Sequence, residues 1–284
     1  MHERIRRIVV GIAEPEDGDP QLDPALQLAE RVGAVVHLVH AFPCPDPILA
    51  PDLEGSPAPR EEAQARLEPR ARESPAREIV CHAVPGSPAE AIVGITEKAG
   101  GDLIIVGASR RSGLASAILG TTAQRVVRAS PVPVLVNRRP GSGAPRRILL
   151  TTDLSELSAR VHEAGIAIVS TLWDVGNAEV RSLLVAGDDV LLPAPGARIA
   201  IRQRAEAGLD AFLRGTPSGG AGVEGRVRLG LSDREILAEA AEWDADLVVL
   251  GTRGRTGLSR FLIGSVAETV SRKAACDVLL IPAS

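Results

Sequence analysis

The sequence predicts an α/β protein of two repeated domains, each with a five-stranded, mostly parallel sheet and helices on both faces. The first observation is that short runs rich in Val, Ile and Leu alternate with helix-length segments along the 284 residues. Such runs are typical of parallel strands that are buried on both faces of a sheet. The second observation is an internal repeat, and the third is a Pro- and Gly-rich segment between its two copies.

The internal repeat defines the domains. Residues 102–136 match residues 246–280 without a gap, and residues 6–13 match residues 146–153. Self-similarity of this length indicates two copies of one structural unit. The segment RRPGSGAPRR, from Arg138 to Arg147, lies between the copies, and its Pro, Gly and Ser are typical of a linker. We therefore predict a first domain at 1–139, a linker at 140–146 and a second domain at 147–284.

Hydrophobic periodicity predicts the same order of strands and helices in both domains. In the first domain we predict strands at 5–12, 34–42, 78–84, 103–106 and 132–136, and helices at 23–32, 61–72, 87–99 and 121–129. In the second domain we predict strands at 147–151, 180–186, 225–229, 247–250 and 278–281, and helices at 155–172, 198–214, 233–243 and 265–275. Ligands of such sheets bind beyond the carboxyl ends of the strands, where the strand order reverses.

The composition argues against several classes of function. A net charge of −4 and an aromatic content of 2% offer no bulk attraction for nucleic acid or anionic membranes and no stacking platform for bases. No apolar run reaches the length of a membrane span, and three cysteines without a CxxC pair suggest reduced thiols, so we expect a cytoplasmic protein. His37 and His40 lie three apart in a predicted strand, hence on opposite faces, and we expect no metal site.

The segment GTRGRTGLSRFLIGS, from Gly251 to Ser265, connects a predicted strand to a predicted helix. Its glycines permit close approach of a ligand to the backbone, and the start of a helix favours an anion. The Ser265 hydroxyl and the Arg253 guanidinium add hydrogen-bond donors for a phosphate. The segment follows neither the Walker pattern nor GxGxxG.

The same residues are also consistent with simple helix capping. A Ser, Thr or Asp followed three residues later by Glu or Gln is typical of a capping box. Three pairs have this form, namely Ser265 with Glu268, Thr121 with Gln124 and Asp153 with Glu156. Spacing alone leaves the phosphate loop and the capping box as open alternatives.

The segment resembles the nucleotide signature of the universal stress protein family, Gly-x2-Gly-x9-Gly-Ser/Thr. The signature falls on Gly251, Gly254, Gly264 and Ser265 with every spacing kept, and Asp153 stands at the end of the first strand of its domain. The resemblance covers nearly the whole chain, twice. It implies a tandem form with a Rossmann-like, adenine-nucleotide alpha-hydrolase-like fold, in which the last strands, 132–136 and 278–281, pair across a pseudo-two-fold axis.

The resemblance also implies an adenine nucleotide, ATP, as the ligand of the second domain. Asp153 would contact the adenine or the ribose, with Leu250 and Val185 beside the base. The ribose and the first phosphates would lie against Gly251, Arg253 and Gly254. The later phosphates would receive backbone and hydroxyl donors from Gly264, Ser265 and Val266.

The first domain departs from this pattern at two positions. Ala13 stands where the second domain has Asp153, and Arg110 replaces the glycine that corresponds to Gly254. Gly107, Gly120 and Thr121 keep their places. We therefore predict that the first domain binds nucleotide poorly or not at all, with a phosphate contact from Arg110 as the alternative.

The resemblance implies an ATP-binding protein that regulates the stress response in a nucleotide-dependent way. ATP would bind with or without Mg²⁺, and the chain would act alone or as a homodimer. We predict no catalytic residue, because no general base is evident near the loop. Two alternatives stay open at this point. One is a protein-interaction module that binds no nucleotide, and the other is a slow ATPase.

Overall fold

A computed structural model describes residues 5–13, 19, 22–42, 58–72, 78–108, 119–139, 141, 143–187, 195–216, 222–253 and 263–282. The chain divides into two compact units with a boundary between residues 141 and 142, inside the segment predicted as the linker. The end of that segment is anchored in the second unit. Pro145 is buried, and the N–H of Arg146 donates to Asp246 Oδ2 over 2.8 Å.

The first unit contains five strands and four helices among its described residues. They are β1 (Arg7–Ile12), α1 (Leu22–Val32), β2 (Val35–Phe42), α2 (Ala58–Arg72), β3 (Ile79–Pro85), α3 (Pro88–Ala99), β4 (Leu103–Gly107), α4 (Thr121–Ala129) and β5 (Val134–Asn137). The strands are ordered β3-β2-β1-β4-β5, and all four pairings are parallel.

The second unit repeats this arrangement. Its elements are β6 (Arg147–Thr152), α5 (Glu156–Leu172), β7 (Glu179–Ala186), α6 (Pro195–Gly215), β8 (Val223–Leu229), α7 (Ser232–Glu242), β9 (Leu247–Gly251), α8 (Ser265–Lys273) and β10 (Asp277–Ile281). The strands are ordered β10-β9-β6-β7-β8, again with parallel pairings. The predicted α/β class is confirmed, and every predicted strand and helix is present with its ends displaced by at most three residues.

The strand order of the second unit places a topological switch point between β6 and β9. From β6 the chain proceeds outward through β7 and β8, then returns to the other side of β6 to form β9 and β10. The connections that leave β6 and β9 therefore diverge at their carboxyl ends. This divergence opens the crevice where open α/β sheets bind ligands.

Helices cover both faces of the second sheet. On one face α5 packs so closely that a Cβ on Gly165 would lie 2.7 Å from Val249 Cγ1. On the other face Glu239 of α7 is 2% exposed and accepts a hydrogen bond from Arg181 of β7 at 2.6 Å. Both faces are thus buried, which accounts for the nearly continuous apolar runs in the strands.

A carboxylate fastens the first and fourth strands of each unit at their amino ends. Asp102 Oδ2 accepts the N–H groups of Arg6 and Arg7 at 2.7 and 2.9 Å. Asp246 Oδ2 accepts those of Arg146 and Arg147 at 2.8 and 3.0 Å. Both repeats have an Asp-Leu dipeptide here, Asp102-Leu103 and Asp246-Leu247. Its aspartate therefore has a structural role at the amino ends of the strands.

Candidate functional site

The candidate site lies at the carboxyl ends of three adjacent strands of the second unit. Leu150 of β6 pairs with Val249 of β9, and Thr152 of β6 pairs with Leu184 of β7. Asp153, one residue beyond Thr152, is therefore flanked by the ends of β7 and β9. This register brings Val185 and Gly251, two of the predicted site residues, to the same edge as Asp153.

The loop after β9 begins and ends at one point. The N–H of Gly264 donates to the carbonyl oxygen of Thr252 at 2.8 Å, and the N–H of Thr252 donates to Ile281 of β10 at 2.9 Å. A Cβ on Gly264 would lie 3.9 Å from the Cα of Arg253. The structure thus brings together Arg253 and Gly264, two of the predicted site residues. Gly254 lies outside the described residues.

Among the described residues, no side chain caps the helix that follows this loop, so the structure does not support the capping-box alternative for Ser265. The N-cap of α8 is Gly264, which has no side chain to accept a backbone N–H, and Ser265 lies one residue inside the helix and is exposed. The alternative for Thr121 is not supported for the same reason, because Gly120 is the N-cap of α4. In α8 the first-turn N–H groups therefore have no side-chain cap from the part of the chain that the structure describes.

The capping-box alternative for Asp153 is not supported either. The N-cap of α5 is Ser155, whose Oγ accepts the N–H of Ser158 at 3.1 Å. Asp153 lies two residues earlier and accepts both donors of Ser155 on Oδ1, the N–H at 3.0 Å and the hydroxyl at 2.5 Å. The sequence places Ser155 at the start of the predicted helix 155–172 but does not reveal its contact with Asp153, because that contact is fixed only by the turn between β6 and α5.

That turn contains a left-handed residue. Leu154 has φ 64°, a conformation that is uncommon for a residue other than glycine. Its N–H donates to Thr152 Oγ1 at 3.0 Å, and Thr152 Oγ1 lies 2.9 Å from Ser158 Oγ.

The glycines at the two ends of the loop differ in how much room their surroundings leave for a side chain. A Cβ on Gly251 would lie 3.0 Å from Val161 Cγ2 of α5 and 3.2 Å from the carbonyl oxygen of Arg253, so packing alone favours glycine there. Gly264 has φ −65° and ψ 146°, which any residue adopts. A Cβ at position 264 would meet its nearest atom, the oxygen of Thr252, at 3.5 Å, an ordinary contact. The polypeptide itself therefore does not require glycine at this position.

The three apolar residues predicted at the site, Leu250 and Val185 beside the base and Val266 at the later phosphates, differ in accessibility. Leu250 is buried in the core with 2% exposed, whereas Val185 and Val266 are half-buried. Leu250 can thus offer its backbone more readily than its side chain. Ligand contacts of all three residues stay predictions.

The corresponding edge of the first unit has a different chemistry. The exposed Ala13 has no carboxylate, and its N–H donates to Asp19 Oδ2 at 3.1 Å. Asp19 was missed by sequence reasoning, because nothing in its loop marks it as a partner of the strand end. Arg110 lies outside the described residues, and weak nucleotide binding by this unit stays a prediction.

The histidines are engaged in pairs that the sequence did not reveal. His37 Nδ1 lies 2.9 Å from His82 Nε2, and burial lowers the pKa of both imidazoles. In the second unit His162 Nε2 lies 2.9 Å from Ser182 Oγ, and burial lowers the pKa of His162 to about 4. Across the described ranges, no group of three or more His, Cys, Asp or Glu side chains is arranged to hold a metal ion.

One chain thus contains two units, each with doubly wound parallel strands in the same order. This arrangement defines a tandem α/β protein of the adenine-nucleotide alpha-hydrolase-like fold. The model of the universal stress protein family matches residues 4–138 and again residues 145–282, and the chain belongs to this family. Among the helices of the described residues, none is long and apolar enough to cross a membrane.

Curated relatives and solved structures agree with this assignment. Universal stress protein MJ0531 of Methanocaldococcus jannaschii is 32% identical over 149 residues, which cover 50% of this chain and 85% of that protein. The universal stress protein E homolog of Haemophilus influenzae is 30% identical over 228 residues, or 74% of this chain and 72% of that protein. A universal stress protein structure from Archaeoglobus fulgidus shares the fold over 98% of both chains, with a TM-score of 0.57 at 17% identity.

Proposed function

We propose that the second unit binds ATP and that the chain acts as a nucleotide-dependent regulatory protein of the stress response. One observation carries the proposal: the carboxylate of Asp153 and the glycine-capped start of α8 lie at the same switch point. A carboxylate there suits the hydroxyl or amino donors of a nucleoside, and an uncapped helix start suits phosphate. The signature residues Gly251, Gly264 and Ser265 all lie at this edge.

The phosphates would be held mainly by α8. The N–H groups of Ser265 and Val266 face the ligand from the first turn, and the exposed Ser265 hydroxyl adds one donor. Gly264 leaves room for a phosphate oxygen against the backbone, which explains a glycine that the polypeptide alone does not require. Arg253 adds positive charge at the start of the loop. Mg²⁺ would arrive with the triphosphate rather than through a separate protein site.

The nucleoside would lie towards β7. Asp153 uses Oδ1 for Ser155, so Oδ2 is the oxygen available to a ligand. Because an ionised carboxylate only accepts hydrogen bonds, it selects a ligand that donates at this point, through a ribose hydroxyl or the 6-amino group of adenine. The half-buried Val185 would form part of the base slot.

We infer a regulatory role without catalysis. Nucleotide binding would shift the population of states that a partner recognises. Such a protein would work in the cytoplasm. We also expect the last strands of the two units to pair, with a homodimer as a further assembly. Sedimentation velocity of the full chain, with and without ATP, tests the homodimer.

Isothermal titration of the full chain with ATP, in the presence and absence of Mg²⁺, tests the binding site. We expect one saturable site per chain, and Asp153→Ala should weaken it at least about tenfold, because a charge-assisted hydrogen bond is lost. Asp174→Ala is the matched control, because Asp174 is exposed and follows the end of α5, beside Arg146 at the opposite edge of the sheet. The absence of saturable heat, or full binding by Asp153→Ala, would instead favour an interaction module without nucleotide.

A single-turnover assay separates binding from slow hydrolysis. The chain is kept in excess over radiolabelled ATP with Mg²⁺, and release of inorganic phosphate is followed over hours. We expect no release above that of the Asp153→Ala variant. Release that Asp153→Ala abolishes would identify a slow ATPase.

A further inference from the structure

We propose that Ser155 is a positioning residue that directs the Asp153 carboxylate towards the ligand, and that α6 acts on the same carboxylate through Leu154. This inference rests on the proposed nucleotide site and deepens it. Neither Ser155 nor Leu154 belongs to the family signature, which falls on Gly251, Gly254, Gly264 and Ser265. Neither was among the residues predicted to contact the nucleotide.

The contacts of Ser155 hold one oxygen of Asp153 and leave the other for a ligand. Both donors of Ser155 converge on Oδ1, at 2.5 Å from the hydroxyl and 3.0 Å from the N–H. The Ser155 hydroxyl cannot turn away freely, because its oxygen also accepts the N–H of Ser158. A carboxylate with one oxygen fastened in this way presents its second oxygen in a single direction. Ser155 thus does more than cap α5.

The left-handed Leu154 links this carboxylate to α6. A non-glycine residue in this region is strained, and such residues persist only where their surroundings fix them. On one side the N–H of Leu154 is held by Thr152 Oγ1. On the other side its side chain packs against the core cluster of α6, β7 and β8 that contains Leu209 and Val227. Leu154 therefore cannot relax without moving either Asp153 or this cluster.

Gly208 is the point where α6 meets Leu154 most closely. A Cβ on Gly208 would lie 3.0 Å from Leu154 Cδ1, and outside α6 itself no other heavy atom of the described residues lies within 4 Å of it. An added methyl group would therefore press on Leu154 alone. Gly196 of the same helix has nothing within 4 Å of an added Cβ, which makes it a matched control.

The ligand-donor experiment tests the role of Ser155. ATP is compared with three analogues that each lack one donor: inosine triphosphate, 2′-deoxy-ATP and 3′-deoxy-ATP. We expect the wild-type chain to bind one of them about tenfold more weakly than ATP, which identifies the donor that faces Asp153. In Ser155→Ala this ratio should fall to about twofold, because the carboxylate no longer points at the donor, and Ser155→Thr should restore it.

A purely structural role of Ser155 gives a different result. Loss of the cap alone would weaken ATP and the analogue equally, and the ratio would stay at its wild-type value, which would overturn the proposal. Thr171→Val is the control for loss of a hydroxyl on α5, because Thr171 donates to Ala167 within the helix. It should change neither the affinity nor the ratio.

The glycine experiment tests the role of α6. Gly208→Ala is expected to weaken ATP binding about threefold and to lower the same ratio, since Leu154 must shift. Gly196→Ala should leave both unchanged, although both substitutions favour the helix intrinsically. Leu154→Ala combined with Gly208→Ala should remove most of the added effect of the methyl group. Wild-type affinity in Gly208→Ala would show that α6 does not act on the site.

A wild-type chain that binds no nucleotide would defeat the proposed function without deciding the role of Ser155. Crystal structures of the unliganded wild type and Ser155→Ala decide it in that case. We expect the Asp153 carboxylate to lose its fixed place beside residue 155 in the variant. An unchanged Asp153 would contradict the positioning role.

Discussion

Gly264 donates its N–H to the carbonyl oxygen of Thr252 over 2.8 Å, so the end of β9 and the start of α8 are held together independently of the intervening loop. The closure of the loop is thus a property of the backbone. The packing around Gly264, by contrast, leaves room for a side chain at this position. Stability and ligand binding should therefore separate at position 264.

Gly264→Ser should stabilise the second unit and weaken its ligand binding. A serine at the N-cap supplies the missing side-chain acceptor and raises the free energy of unfolding by a few tenths of a kcal/mol, about 0.3. The same side chain fills the place of a phosphate oxygen and should weaken ATP binding more than about tenfold. Urea denaturation and calorimetric titration measure the two effects. Gly251→Ala is the contrasting variant, with lost stability from its 3.0 Å approach to Val161.

The first unit should gain a nucleotide site when its two departures are reversed. Ala13→Asp combined with Arg110→Gly restores the carboxylate and the glycine, and we expect the number of ATP sites per chain to rise from one to two. Gly254→Arg, which places the first unit's residue in the second, should abolish the original site. Equilibrium dialysis counts the sites. Two sites in the wild-type chain would contradict the prediction of a degenerate first unit.

The second unit should lose stability between pH 6.5 and pH 4 because of His162. Burial lowers the pKa of this imidazole to about 4 in the folded protein, whereas an unfolded histidine titrates near about 6.5. The unfolded state therefore binds the proton first as the pH falls, and the loss reaches about 3 kcal/mol below pH 4. Above pH 6.5 the group has no such effect.

Denaturant unfolding of wild type and His162→Gln across this pH range measures that contribution. The difference in the free energy of unfolding between the two proteins should change with pH, because the glutamine side chain of the variant does not titrate. His37 and His82 contribute equally to both proteins and cancel in the comparison. A pH-independent difference would mean that His162 is not buried as described.

Glu239 should be the most sensitive charge on the α7 face. Its side chain is 3% exposed and pairs with Arg181 at 2.6 Å and Arg228 at 2.8 Å. Glu239→Ala leaves two arginines facing the lost carboxylate and should destabilise the second unit by about 3–5 kcal/mol. Glu242 also pairs with Arg228 but is exposed, so Glu242→Ala should destabilise the unit far less. Thermal unfolding compares them, and equal losses would contradict the dominance of burial.

Most of the fold could be predicted because the sequence contains two copies of the same structural unit. An apolar run such as Leu247–Leu250 identifies a strand, and its copy at residues 103–106 confirms the reading. The helix caps failed for a simple physical reason. Whether Ser265 caps a helix or lies one residue inside it depends on the φ and ψ of Gly264, which spacing does not determine.

The parts of the site that escaped prediction depend on side-chain contacts between distant or irregular segments. Ser155 acquires its role only through the left-handed turn at Leu154, and Asp19 reaches Ala13 from a loop. His37 and His82 meet because β2 and β3 are paired in one particular register. Local sequence patterns do not encode such pairings.

The carboxylates that tie the first and fourth strands of each unit also set an order of events during synthesis. Asp102 meets Arg6 across 96 residues, and Asp246 meets Arg146 across 100. The first strand of each unit, β1 or β6, therefore has one unpaired edge until the fourth strand, β4 or β9, has been synthesised. Contacts of such long range make folding slow, and during that interval a nascent chain exposes an apolar strand with one unpaired edge, which a chaperone can recognise.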